Sequence, residues 1–144
     1  MRIPKALVEK MLAHARGGYP FEACGVFVGH PPGSASAAVV EDVVPVENRE
    51  TEKPRVRYAI APEALIRVDR EARARGLEIL GYFHSHPDHP ARPSETDRQR
   101  AADTLSDGVI HVVVGVEKGE QATPTAWVFR DAAQAFEAEA FEIS

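Results

Sequence analysis

Two histidines stand two residues apart, in His84-Ser85-His86, and after seven further residues comes Ser94-Glu95-Thr96-Asp97. Placed at the end of a strand, His84 and His86 leave the same face, because side chains alternate along extended backbone. Neutral imidazole nitrogens bind zinc at about 2.0–2.1 Å, so the pair is a ready half of a metal site. The proline-rich loop Pro87 to Pro93 is stiff and turns the chain back, and a helix opening at Ser94 can present Asp97 as a third ligand. Three protein ligands leave a fourth tetrahedral position for water, the catalytic rather than the structural pattern. Each fragment also has a plainer reading. Two histidines near a strand end can be loop residues, and Ser94-Glu95-Thr96-Asp97 is a capping box in which Asp97 reaches back to the backbone of Ser94. It is the combination that favours the metal.

The same stretch contains His84-x-His86-x-Asp88-His89, which resembles the metal site of the metallo-β-lactamase superfamily. That fold is larger than this chain and needs ligands far downstream. The only later histidine is His111, inside an apolar run where a satisfied core histidine is expected.

The full string resembles more closely the signature of the JAMM/MPN+ (Mov34/PAD-like) zinc metallopeptidases of short bacterial type. In them a Glu is followed at a distance by His-[Ser/Thr]-His-Pro, seven residues and Ser-x-x-Asp. Glu22, in Pro20-Phe21-Glu22-Ala23-Cys24-Gly25, matches the Glu. The resemblance implies an α+β MPN fold, a cytidine-deaminase-like mixed β-sheet flanked by helices, as one domain over residues 1–144. It further implies one zinc per chain on His84, His86 and Asp97, Glu22 as general acid/base, and Ser94 as helper to the oxyanion. Water activated by zinc near neutrality would attack a scissile carbonyl, with Glu22 shuttling its proton to the leaving amine. The implied substrate is an amide after the C-terminal glycine of a ubiquitin-like sulfur-carrier protein, its amine partner a Lys side chain or free cysteine. A non-enzymatic MPN scaffold is the alternative, and the intact ligand set argues against it. The family leaves a homodimer open.

These residues need elements to hold them. Leu7, Val8, Met11, Leu12 and Ala15 form a helical stripe stopped by Gly17-Gly18. Cys24 to Gly29 reads as a strand followed by a turn, Ala37 to Val46 as a second strand, and the alternating Arg55 to Ile60 as a third. Pro62 suits a first helical turn, and Leu65, Val68 and Ala72 continue the helix to Gly76. Leu77 to Phe83 is a strand running directly into His84. The Ser94 helix extends to about Ala102, Val109 to Val116 is a central strand, and Thr125 to Phe129 another. The tail from Asp131 is ambiguous between helix and strand. Ser85 should face away from the ligands, Asp88 and His89 are equally substrate-facing or solvated, Cys24 is a buried small hydrophobe, and Trp127 belongs in the core.

A length of 144 residues fits one domain, and 44% hydrophobic with 27% charged residues is ordinary globular composition. The net charge of −5 argues against nucleic acid as a partner. Arg67, Arg70, Arg73 and Arg75 alternate with Asp69 and Glu71, as on a solvated helix face. The single cysteine excludes an intrachain disulfide and a cysteine-based zinc cluster. No apolar run approaches a membrane span, so no membrane partner and a cytoplasmic location are expected.

Overall fold

A two-residue strand that the sequence pattern does not announce, β1 (Arg2–Ile3), precedes helix α1 (Lys5–Gly18) in the computed structural model, which describes residues 1–104 and 106–144. There follow β2 (Cys24–His30), β3 (Val39–Val46), α2 (Pro62–Ala74), β4 (Glu78–Pro87), α3 (Glu95–Asp103), β5 (Ile110–Glu117), β6 (Gln121–Arg130), β7 (Ala135–Glu139) and β8 (Glu142–Ile143). One 3₁₀ turn, Asp131–Ala133, separates β6 from β7. The tail is therefore mainly extended, and β6 begins earlier than its β-branched centre suggests.

The eight strands form one mixed sheet in the order β7-β6-β5-β4-β2-β3-β1-β8. The β4–β5, β1–β3 and β1–β8 pairs are parallel, and the remaining pairs are antiparallel. Strands β7 and β8 lie at opposite margins, yet only Ala140 and Phe141 separate them in sequence. The sheet must therefore curl until its margins approach each other. Its concave face wraps α1, whose Val8, Met11 and Ala15 pack with Phe27, Phe83, Val112, Val114 and Val128 in the main core. Gly81 lets β4 approach β5 at the centre of this sheet, where a Cβ would run into the carbonyl oxygen of Ile110.

On the other face, α2 buries Val68 and Ala72 against Cys24, Val26, Val28 and Leu77. Its arginines face outward: Arg73 pairs with Asp69 and Arg75 reaches Asp42 on β3. No helix among the described residues is long and apolar enough to cross a membrane.

Two expectations need correction. Arg55 to Ile60 is not a strand. Its start is a turn in which Val56 and Arg57 both donate to the carbonyl of Lys53, and Val56 is half exposed. Pro54 has no N–H for a ladder, and the side chain of Asn48 takes the backbone groups of Arg57 and Ala59 that a strand would have paired. Trp127 is partly exposed rather than core, with its Nε1 donating to Thr125 Oγ1 at 2.9 Å. It lies in register with His111 on the convex face of the sheet, which α2 and α3 cover incompletely there.

Candidate active site

Strand β4 lies between β2 and β5, and its alternation sends His84 and His86 to the convex face. Ser85 points the other way and accepts a hydrogen bond from the Ala23 N–H at 2.8 Å. That bond ties the histidine strand to the segment carrying Glu22. Past the proline-rich loop, α3 opens on a complete capping box: Asp97 N–H donates to Ser94 Oγ at 3.1 Å, and Ser94 N–H donates to Asp97 Oδ2 at 2.8 Å. Cap and metal readings of Asp97 are thus compatible. The same Oδ2 lies 3.1 Å from His84 Nε2 and 3.1 Å from His86 Nε2, and the two nitrogens are 3.1 Å from each other.

This triangle is the test of whether a metal fits. Ligands at about 2.0–2.1 Å from a tetrahedral zinc stand about 3.3 Å apart, close to the observed edges. Three side chains with one ligand atom each converge here among the described residues, and all three are buried or nearly so. The ring of His86 is oriented by Nδ1, which donates to the carbonyl of Pro90 at 3.0 Å and leaves Nε2 with a free lone pair. His84 Nδ1 is buried without a partner among the described residues, and the ring of Tyr58 stacks on His84 at 4.5 Å and 20°. The donor set and spacing fit zinc.

Electrostatics sharpen the picture. Burial pushes the Asp97 carboxyl up, but the hydrogen bonds to His84 and His86 outweigh it and hold it well below the usual carboxylate range. Burial lowers His84, which favours the neutral ring that a ligand needs. Burial also opposes charge on His86, yet its bonds to Asp97 and Pro90 raise it overall.

Glu22 sits just before β2, only 5% exposed, with Oε1 lacking a hydrogen-bond partner among the described residues. Burial raises its carboxyl to about 8, while the charges of His86 and Asp97 act in opposite directions. A carboxyl poised near neutrality beside the triad has the proton affinity of a general acid/base. Its backbone is fixed on both sides: Glu22 N–H donates to Pro54 O at 2.7 Å, and its carbonyl accepts from Asn48 Nδ2 at 2.9 Å. Glu22, His86 and Ser94 line one cavity of about 390 Å³. A second, of about 410 Å³, lies beyond His84 and Asp97 and is walled by Tyr58, Leu65, Tyr82 and Val113.

The structure brings all five sequence candidates, Glu22, His84, His86, Ser94 and Asp97, into one region. Asp88 and His89 do not join the three-residue group. Asp88 is exposed, accepts from Tyr19 Oη at 2.6 Å and from Lys118 N–H at 2.8 Å, and adopts a left-handed φ of 57° in the turn. His89 is exposed at the rim. The overlapping lactamase-like ligand pattern is therefore not assembled. His111 is buried as expected but not satisfied: its Nε2 has no partner among the described residues, and burial lowers it to about 4. Cys24 is fully buried, and burial pushes its thiol up to about 12, which makes it inert.

Three residues escaped sequence reasoning. Asn48 fastens the loop over the site through four bonds, its Nδ2 to Glu22 O and Arg57 O, its Oδ1 from Glu50 and Ala59 N–H. Arg100, one helical turn after Asp97, donates to the Tyr58 carbonyl and pairs with Glu50 at 3.8 Å. Tyr58 covers His84. For Arg100 the helical offset from Asp97 was a usable signal; a lone Asn or Tyr in a loop offers none.

Comparison with known proteins adds a family. The family model described as prokaryotic homologs of the JAB domain matches residues 4–130. A desampylase of Haloferax volcanii is 37% identical over 98 residues, covering 65% of this chain and 67% of the relative. A probable TtuB-protein conjugate cleaving protease of Thermus thermophilus is 32% identical over 99 residues, covering 69% of this chain and 62% of the relative. The match thus spans about two thirds of the length of these relatives. A JAB1/MPN domain protein of Archaeoglobus fulgidus has the same fold at a TM-score of 0.63 and 17% identity, covering 100% of this chain and 97% of that one.

Proposed function

The chain belongs to the prokaryotic homologs of the JAB domain, and from that premise we propose that it is a single-domain zinc peptidase. Its substrate is an amide formed by the C-terminal glycine of a ubiquitin-like sulfur-carrier protein, and its single domain spans residues 1–144. The observation that carries this reading is the triangle of His84, His86 and Asp97 ligand atoms with the buried carboxyl of Glu22 beside it.

His84, His86 and Asp97 would hold one zinc ion per chain. Zinc there supplies Lewis acidity, lowering the pKa of water to about 7 and polarising a carbonyl. Glu22 takes a proton from the attacking water and returns it to the departing nitrogen, so hydroxyl ends on the carbonyl carbon and the amine leaves neutral. Burial equips Glu22 for both halves by raising its proton affinity, which a bound zinc would draw back down. Ser94 Oγ accepts from Asp97 N–H, which leaves its own hydrogen free to donate to the carbonyl oxygen as negative charge develops there. The loop carrying Tyr58, held by Asn48 and Arg100, shields this region from bulk water.

The relatives' names, a desampylase and a protease of TtuB–protein conjugates, support a protein conjugate as substrate. Glycine at the scissile position suits a carbonyl that must approach a buried site closely, since no side chain stands in the way. The test is to incubate zinc-loaded protein with a ubiquitin-fold sulfur carrier ending in Gly-Gly, joined by an amide to cysteine or to a lysine side chain. Masses should show the free carrier, and a chelator should stop its release. If neither adduct is cut while an unrelated unfolded peptide is, the substrate assignment fails.

A further inference from the structure

The cavity that Glu22 shares with His86 and Ser94 is cationic, in a chain that is acidic overall. Its wall includes Lys53, Arg57 and Arg92, and among the described residues Glu22 is its only acidic lining residue. The whole chain has 22 acidic against 17 basic residues, so this local balance runs against the composition. None of the three cations has an ion-pair partner within 4.0 Å among the described residues. The nearby carboxylate of Glu50 accepts from the N–H groups of Glu52 and Lys53 and pairs with Arg100; it feels the charge of Arg57 without pairing with it. Nor are Lys53 and Arg57 on a loose segment. They flank the turn closed by Val56 and Arg57 N–H on Lys53 O, and Asn48 Nδ2 holds the Arg57 carbonyl at 3.1 Å.

The position of Glu22 gives the cleft a direction. A group that returns a proton to the departing nitrogen must face that nitrogen, so the leaving group lies on the Glu22 side, among these cations. The acyl side then falls to the more apolar cavity beyond His84, where Tyr58, Leu65 and Tyr82 can hold an extended tail.

Resting on the function proposed above, we infer that this cleft selects a leaving group bearing a carboxylate near the scissile nitrogen, with Arg57, Lys53 and Arg92 as specificity-determining residues. An α-amino acid joined through its amino group carries such a carboxylate on the carbon next to the nitrogen. A lysine side chain does not, so it brings no anion to these cations. Acidic residues flanking a conjugated lysine are the second source of the same chemistry.

The probes are one ubiquitin-fold sulfur carrier ending in Gly-Gly, extended by alanine with a free carboxylate or by alaninamide, and the same carrier on a lysine in an acidic or a neutral peptide. The free acid should be cut with kcat/KM about tenfold above the carboxamide, the scale that a few partly exposed charge pairs supply together. That ratio should fall toward one in the Arg57→Gln/Arg92→Gln variant. In unsubstituted protein it should also fall as salt rises, a readout that needs no variant. A gain for the acidic lysine peptide over the neutral one extends the selection to side-chain carboxylates; no such gain confines it to α-carboxylates. Equal cleavage of acid and carboxamide overturns this inference and leaves the proposed function standing. An equal loss on both alanine substrates in the variant also overturns it, because the cations would then be reading the carrier itself. If no adduct is cut, the proposed function falls and this inference with it.

Discussion

Replacing Glu22 by Gln should make the metal-free protein less sensitive to alkaline pH. The folded carboxyl keeps its proton up to about pH 8, whereas an unfolded chain releases it near the ordinary value of 4.5. The stability it contributes is therefore fully present below pH 4.5 and is lost as pH rises toward 8. Each tenfold change in proton affinity is worth about 1.4 kcal/mol, so the loss between pH 5 and pH 8 is about 3 kcal/mol for a group only 5% exposed. A glutamine side chain has the same shape and cannot ionise. Urea unfolding of both proteins in chelator, at pH 5 and pH 8, reads the effect as a difference of differences, in which the groups that do not feel Glu22 cancel and His86, which the Glu22 charge raises, does not. The wild type should lose about 3 kcal/mol more than the variant. Adding zinc should narrow that gap, since a nearby dication favours the ionised carboxylate. If the two metal-free proteins differ by under about 0.5 kcal/mol in their pH response, Glu22 is not the buried, raised carboxyl on which its proposed role depends.

Zinc content should follow the triangle. Purified protein should carry about one ion per chain, most of it lost in His84→Ala and Asp97→Ala and kept in His89→Ala, as read by elemental analysis of dialysed samples. Ser85→Ala should orphan the buried Ala23 N–H and cost about 1–3 kcal/mol, lowering the thermal midpoint by several degrees in calorimetry.

The histidine–aspartate site was legible because local rules set it. Period-two alternation on β4 puts His84 and His86 on one face, and a capping box fixes where Asp97 stands on the first turn of α3. The order of the longer elements was readable for the same reason, from Pro62 opening α2 to the apolar run of β5. Glu22 is different. A carboxylate before a strand has no local mark of function, and only the family pattern singled it out; its burial depends on the loop that Asn48 closes over it. That loop was misread as a strand because alternating residue types around Val56 look alike whether a ladder or a single Asn takes the backbone bonds. The curl of the sheet was hidden too, since β1 and β8 are two-residue strands that exist through pairing with distant partners. Trp127 has the size of a core residue, but whether a helix covers its face is a tertiary matter.

The central claim is that Glu22 moves the proton while His84, His86 and Asp97 hold the metal. The direct measurement is turnover and zinc content in the same sample of Glu22→Gln, beside wild type, on the carrier–amide adduct. The account predicts one zinc per chain in both proteins, and cleavage abolished in the variant. A zinc-replete Glu22→Gln protein that still releases the carrier at the wild-type rate would contradict it.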